Sequence, residues 1–214
     1  MAGQNNKVVV NLATGHEDGE RVTVAFLVAT AALEKGKKVI LYAGSFYGKR
    51  RLKYIFEPLI KLFGNNKLKN KISIHVFGKI HDEDADFIKK LSLTEVVFEH
   101  KKIEYSLLTR YLSGADILYL SQGDDHSDCV PYKLIDYLTI GKPILAVTPL
   151  NSSTYNFMQK LDVGIAADID NHDSIYNALK ELLIDERQFS FSGIEEYSLS
   201  NVAEKYYKII SDFQ

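Results

Sequence analysis

The chain has 214 residues and a formal net charge of −2, with 26 basic residues, 28 acidic residues and a single cysteine. This length is ordinary for one α/β domain, and the interspersed charges exclude the basic field that nucleic-acid binding requires. The lone Cys129 excludes an internal disulfide framework, and the sequence shows neither a secretory signal pattern nor a long apolar run, so we expect a cytoplasmic protein without a membrane span.

Short apolar runs alternate with amphipathic segments along the whole chain. Seven strands are predicted, at 7–13, 37–44, 71–78, 94–99, 115–120, 142–148 and 163–168. Eight helices are predicted, at 20–35, 50–64, 82–91, 103–113, 131–140, 152–160, 173–184 and 198–212. Because most strands are continuously apolar, we expect them to be buried on both faces of a mainly parallel sheet. The sequence therefore predicts a single α/β domain over residues 1–214, doubly wound and Rossmann-like, with helices on both faces.

The loop after the second predicted strand has the composition of an anion site. The stretch YAGSFYGKRR, at 42–51, carries Gly44, Lys49 and Arg50 just before a predicted helix. Glycine lets backbone amides approach an oxyanion, and a helix N-terminus with nearby cations completes a phosphate site. The loop matches neither the P-loop nor the dinucleotide pattern, so a solvated surface turn is the alternative interpretation.

A second candidate is DCVPYKLIDYLTIGKPILAV, at 128–147. Pro131 is expected to occupy the first position of a helix, with Asp128 in the loop before it and Asp136 inside it. A carboxylate such as Asp136 can accept both hydroxyls of a ribose. Asp128 could receive sugar hydroxyls, and Lys133 could face a phosphate. The alternative is that Asp136 is a solvated helix acid and Asp128 a helix cap.

The acidic loop DDHSD, at 124–128, contains residue types that can bind metal. No coordination geometry follows from the pattern, so a solvated loop is favoured and no metal site is predicted. Cys129 would be a nucleophile only with a base such as His126 beside it. We expect instead that Cys129 is a small buried hydrophobic residue.

From about Lys37 onward, the sequence resembles the C-terminal, donor-binding half of GT-B glycosyltransferases that use nucleotide sugars. The resemblance covers about four-fifths of the chain. It is carried by VILYAGSFYGKRRL, KISIHVFGK and VVFEHKKIEYSLLTRYLSGADILYL. Its most specific part is VPYKLIDYLTIGKPILAV, which is similar to the family signature Pro-x-Lys-x-x-Glu-Tyr-x-x-x-Gly-x-Pro.

The resemblance implies a donor site for a nucleotide sugar. It assigns seven donor-binding positions: the diphosphate loop Gly44, Lys49 and Arg50, the signature lysine Lys133, the ribose acid Asp136, the donor-sugar acid Asp128, and His100 at the start of the nucleobase region, which is the stretch around His100 to Ile103. Both acids are usually glutamate in the family, so the shorter side chains are expected to weaken donor binding or change the accepted sugar. The family stabilises its leaving group with amides and cations, which implies no obligatory metal or other cofactor.

The first residues do not fit the same family. The stretch KVVVNLATGHEDGERVTVAFLVATAALEKGKKV, at 7–39, resembles the opening βα unit of small DsrE-like sulfur-relay proteins, without their cysteine. We therefore divide the chain into a DsrE-like unit at 1–38 and a GT-B-like part at 39–214, joined as in a chimera. Because about forty residues stand where a GT-B enzyme has its acceptor domain, we expect donor binding without turnover. A non-catalytic α/β scaffold with a vestigial pocket is the alternative, and a sulfur-transfer module is disfavoured.

The last predicted helix, at 198–212, has one apolar stripe. The stripe consists of Val202, Tyr206, Ile209, Ile210 and Phe213. We expect this stripe to pack on the N-terminal unit or to mediate a homodimer.

Overall fold

The computed structural model describes residues 37–66 and 68–211, which form a six-stranded sheet flanked by seven α-helices. The strands are β1 (Lys38–Ala43), β2 (Ile72–Phe77), β3 (Val97–His100), β4 (Ile117–Ser121), β5 (Ile144–Thr148) and β6 (Gly164–Asp168). The helices are α1 (Phe56–Asn66), α2 (Asp82–Lys90), α3 (Tyr105–Gly114), α4 (Tyr132–Ile140), α5 (Ser153–Met158), α6 (His172–Leu183) and α7 (Leu199–Ser211). Short 3-10 turns occur at Lys53–Ile55, Lys69–Lys71, Asp124–His126 and Ile194–Tyr197.

All paired strands are parallel, in the order β3-β2-β1-β4-β5-β6. The direction of winding reverses between β1 and β4, so the loops at their carboxyl ends diverge and leave a crevice. This architecture confirms the predicted doubly wound, Rossmann-like α/β fold. The strand predicted at 7–13 and the helix predicted at 20–35 lie outside the described residues, as does nearly all of the DsrE-like unit.

The sheet lies between two apolar layers, because its strands present successive residues to opposite faces. On β1, Ile40 and Tyr42 contact the layer that includes α1, α2 and α6, whereas Val39 and Leu41 contact the layer that includes α3, α4 and α5. Side chains of β1, β2, β4 and β5 are almost entirely buried, as the continuous apolar runs predicted.

The helices predicted at 50–64 and 131–140 begin later than predicted, each for a physical reason. The first described helix starts at Phe56, because residues 44–52 form an irregular loop that ends in the 3-10 turn Lys53–Ile55. The backbone N–H groups of Leu52 and Lys53 donate to the Asp84 carboxylate, so this turn is already capped by protein. Pro131 precedes α4 as its N-cap, in an extended conformation with φ −70° and ψ 141°, instead of occupying the first helical position.

The final helix, α7, contains no buried residue. Its exposed apolar side chains include Leu199, Tyr206, Tyr207, Ile209 and Ile210. Within residues 37–66 and 68–211 nothing covers this stripe, and its role in a homodimer stays a prediction. None of the described helices combines the length and apolar character that a membrane crossing needs.

Candidate functional site

A cavity of about 250 Å³ lies at the carboxyl ends of β1 and β2, where α3 and α4 approach the sheet. Three of the predicted donor-binding residues, Gly44, Lys133 and Asp136, line it together. It lies beside the reversal of strand order between β1 and β4, which is where doubly wound sheets bind ligands. The structure therefore brings the glycine loop and the signature helix to one place.

Helix α4 is fixed to the end of β1 by the buried Tyr137, whose hydroxyl accepts a hydrogen bond of 3.1 Å from the Ala43 N–H. The buried Leu134 and Leu138 anchor the same helix in the apolar layer. The N-cap residue Pro131 makes no side-chain cap, and the Leu134 N–H already donates to the Pro131 carbonyl at 2.9 Å. Among the described residues, the N–H groups that precede Leu134 in this turn and the positive end of the helix dipole therefore remain available to an anion.

The ammonium group of Lys133 lies over an aromatic ring. Its Nζ is 3.8 Å from the ring centroid of Tyr42, a geometry that gives a cation–π interaction. Burial of the side chain and, to a smaller extent, the positive charge of Arg50 lower the pKa of Lys133 to about 7. No hydrogen bond or ion pair joins this ammonium to another described residue, so the positive charge is uncompensated.

Two glycines allow the loops beneath this lysine to approach closely. Gly44 has φ +120°, and a Cβ at this position would lie 3.0 Å from the Lys133 Nζ. Gly78 has φ +150°, and a Cβ there would lie 2.2 Å from the carbonyl oxygen of Gly44. The Gly44 N–H donates to the Phe77 carbonyl at 2.8 Å, which holds the glycine loop against the end of β2. Side chains at these positions would close the space in front of the lysine.

The rest of the cavity is mixed in character. Asp136 lies on the same helix as Lys133, and across from it Tyr105 at the start of α3 lines the cavity. Partial burial raises the pKa of Tyr105, and the charge of the Asp136 carboxylate and a hydrogen bond with it raise it further. Phe77 and Ile103 contribute an apolar wall. A ring or another apolar group could therefore pack against this wall.

His100 lies at the end of β3 and lines a neighbouring cavity of about 470 Å³. The two cavities share Lys102 in their linings. The His100 ring turns inward: its Nε2 is 2.9 Å from the Nδ1 of His75, and it stacks on Phe77 at 4.8 Å between centroids. Burial lowers the pKa of His100, so the ring is neutral near pH 7. Of the predicted nucleobase region, Lys102 and Ile103 reach the first cavity.

The two predicted cations of the glycine loop do not line the first cavity. Lys49 is exposed and forms an ion pair of 2.7 Å with Asp124 in the loop after β4. This hydrogen bond raises the pKa of Lys49. The Arg50 guanidinium carbon lies 4.7 Å from the Tyr47 ring centroid, and the guanidinium donates a hydrogen bond to the Tyr47 hydroxyl. Its positive charge is still close enough to Lys133 to lower the pKa of that lysine. Lys49 thus joins two loops, and Arg50 supplies positive charge from the rim.

Asp128 is exposed in the loop before α4 and is not part of the cavity lining. It does not cap a helix, since α4 has no side-chain cap and α5 is capped by Ser152. Only its backbone carbonyl makes a described contact, accepting from the Ser153 hydroxyl at 2.9 Å. The structure therefore rules out the capping interpretation of Asp128 and leaves its carboxylate facing solvent.

Cys129 is exposed, which corrects the expectation of a buried hydrophobic residue. Its thiol donates to the backbone carbonyl of His126, with 3.6 Å between the heavy atoms, and this is the hydrogen bond that the thiol makes among the described residues. The surrounding loop is held by buried Gln122, whose amide N–H groups donate to the carbonyls of His126 and Cys129. Within the described ranges, no group of three His, Cys, Asp or Glu side chains is arranged to hold a metal ion.

Sequence reasoning missed three residues that shape this region: Tyr42, Tyr105 and Gln122. Tyr42 appears in the sequence as one apolar member of a buried strand, so nothing marked it as the ring beneath Lys133. Tyr105 begins a helix and carries no motif. Gln122 was detectable, because a lone amide directly after the apolar run ILYLS must find hydrogen-bond partners if it is buried.

Comparison with known proteins gives a match in fold alone. Neither protein-family models nor curated sequences match the chain. Among solved structures, it is similar to the lipopolysaccharide outer core galactosyltransferase WaaB, with 15% identity, a TM-score of 0.64, and coverage of 85% of this chain and 51% of that one. It is also similar to an α,α-trehalose-phosphate synthase (UDP-forming) from Burkholderia xenovorans, with 16% identity and a TM-score of 0.62. That match covers 91% of this chain and 47% of the other. A third similar structure is a sucrose-phosphate synthase from Thermosynechococcus elongatus, with 12% identity and a TM-score of 0.65. That match covers 88% of this chain and 48% of the other.

These similarities define a class of domain. The described chain has the fold of one Rossmann-like domain of GT-B glycosyltransferases. The chain spans about half the length of the structures that it matches.

Proposed function

We propose that the chain is the donor-binding half of a GT-B glycosyltransferase and binds a nucleotide sugar in the cavity between β1 and α4. The observation that carries this proposal is the convergence of Gly44, Lys133 and Asp136 on one cavity at the reversal of strand order. The three groups differ in chemistry, and Gly44 is far in sequence from Lys133 and Asp136, which lie on one helix. We assign one part of a nucleoside diphosphate to each of these groups.

The diphosphate is assigned to the end of the cavity beside Gly44. There the uncompensated ammonium of Lys133, the nearby Arg50 and the uncapped N-terminus of α4 all favour negative charge. The ribose is assigned to Asp136, whose carboxylate can accept two hydroxyl protons. The base is assigned to the wall that includes Phe77 and Ile103.

The donor sugar is assigned to the solvent-facing side, toward Asp128 in the loop before α4. That side is open to solvent, and Asp128 is exposed. Because the chain spans about half of the matched structures, we propose that it binds donor without turnover by itself. The exposed Cys129 thiol supports a reducing, cytoplasmic location.

Calorimetric titration with UDP, GDP and their sugars tests the proposal. We expect Asp136→Ala to weaken binding of the preferred nucleotide by about tenfold or more, because a buried hydrogen bond to a charged group contributes about 1.5–3 kcal/mol. Asp86→Ala is the matched control, since Asp86 is an exposed helix acid in α2. Asp128→Ala should weaken binding of the nucleotide sugar but leave that of the nucleoside diphosphate unchanged.

Two outcomes would contradict the assignment. Equal nucleotide affinities for the wild type and Asp136→Ala would show that Asp136 on α4 does not bind the ribose. The absence of binding by any of these nucleotides would favour the alternative, a folded scaffold whose cavity is vestigial.

A further inference from the structure

Lys133 is the one lysine among the described residues whose ammonium lies over a buried aromatic ring at a cavity wall. It is 3.8 Å from the Tyr42 centroid, and the absent side chain of Gly44 leaves space in front of it. The ring is fixed, because Tyr42 is fully buried and stacks on Phe46 at 3.9 Å between centroids. The ammonium is therefore held in place, and no carboxylate in residues 37–66 and 68–211 forms an ion pair with it.

The charged and titratable groups around the ammonium come from several elements. They are Tyr42 on β1, Arg50 in the loop after β1, Lys102 before α3, Tyr105 on α3, and Asp136 and Tyr137 on α4. Burial raises the pKa of both Tyr42 and Tyr137 far above neutrality, so both phenols are uncharged. Arg50 and Lys102 are positive. Among the described residues that line the cavity, Asp136 is the only carboxylate, and its partner there is Tyr105 rather than Lys133.

We infer that Lys133 takes up a proton when a diphosphate enters the cavity beside Gly44, so that ligand affinity falls as the pH rises above neutrality. The inference rests on the proposed function, since it concerns the same anionic ligand. In the unliganded chain, burial and Arg50 disfavour the ammonium form. Two phosphate charges next to Nζ would reverse that balance, because an opposite charge within about 4–6 Å favours the charged form.

The coupling between protonation of Lys133 and ligand affinity has a definite direction and size. Below the pKa of about 7, Lys133 is already charged, and binding needs no proton. Above it, the neutral amine must be protonated on binding, so the dissociation constant rises by up to about tenfold per pH unit until the pKa of the complex is reached. At pH 8 we expect uptake of close to one proton per ligand bound.

Calorimetry of UDP-glucose, GDP-mannose and ADP-glucose at pH 8, in HEPES and in Tris, measures this uptake from the difference in apparent enthalpy. Nucleotide sugars are used because their diphosphate is esterified at both ends and lacks the terminal phosphate that titrates near pH 6. Lys133→Arg keeps the charge at all pH values, so it should bind without proton uptake. Lys90→Arg, at an exposed lysine of α2, should leave the uptake unchanged.

The second measurement follows Lys133 itself by NMR of its side-chain amine in the unliganded chain, which needs neither a variant nor a ligand. Binding with proton uptake, together with titration of Lys133 near pH 7, would support the inference. Binding without uptake, with Lys133 titrating near pH 10, would overturn it and leave the proposed function standing. Failure of all three nucleotide sugars to bind would overturn both.

Discussion

Replacement of Lys133 by methionine should stabilise the fold. Methionine keeps the length of the side chain and its contact with Tyr42 but removes a charge that burial disfavours. A pKa lowered from 10.5 to about 7 corresponds to about 5 kcal/mol, at about 1.4 kcal/mol per pH unit. The cavity is open to water, and the cation–π contact is lost with the charge, so we expect a net gain of about 2–3 kcal/mol at pH 6.

The pH dependence of that gain identifies its cause. Between pH 7 and 10.5 the unfolded chain binds a proton at Lys133 that the folded chain does not, so wild-type stability rises with pH over this interval. The advantage of Lys133→Met should therefore be largest below pH 7 and decline toward pH 10.5. Urea denaturation at several pH values measures the difference in unfolding free energy between Lys133→Met and the wild type, with Lys90→Met as the control at an exposed position. A gain that is absent, or constant across this range, would refute the reasoning.

Two further pairs of substitutions test the loops and the ion pair that support the cavity. Gly78→Ala should destabilise the fold by about 2–4 kcal/mol and weaken nucleotide binding, since its Cβ would lie 2.2 Å from the Gly44 carbonyl oxygen at φ +150°. In contrast, Gly64→Ala in α1 meets no atom within 4 Å and should stabilise by about 0.5–1 kcal/mol in the same denaturation assay; equal effects of the two substitutions would contradict the close approach. Asp84→Ala should cost about 3 kcal/mol by chemical denaturation, because Arg51 would lose a buried partner at 2.8 Å. Asp84→Asn should cost less, and a neutral effect of Asp84→Ala would show that the pair is dispensable.

The sheet could be predicted because its strands are continuously apolar. Runs such as VILYA and ILAVT can bury the side chains of both faces only when a layer of helices covers each side of the sheet. The strands are parallel because a helix connects each strand to the next along the chain. Element boundaries were less predictable. The loop at 44–52 contains residues that fit a helix, yet the chain stays irregular there until the carboxylate of Asp84, distant in sequence, caps the turn at 53–55.

The candidate site was predictable where it depends on local spacing. Lys133 and Asp136 are three positions apart on one helix and face the same cavity, as the signature predicts. The roles of cations in the glycine loop were not predictable from composition. Lys49 has its partner Asp124 at a separation of 75 residues, and only the folded chain shows that this cation joins two loops.

The contrast among the cations explains why Lys133 points to function. The buried Arg51 lies against Asp84, which is 0% exposed, and the exposed Lys49 is paired with Asp124. Both satisfy their charge within the chain, so their positions are explained by stability and loop geometry. Lys133 has no such partner among the described residues, and burial of its charge lowers the stability of the unliganded fold even though the ammonium contacts the Tyr42 ring. A ligand that brings negative charge beside Gly44 would relieve this unfavourable energy, and the relief would appear as binding affinity. The fold thus keeps a locally unfavourable charge at the place where a diphosphate is proposed to bind, which favours a binding function over that of an inert scaffold.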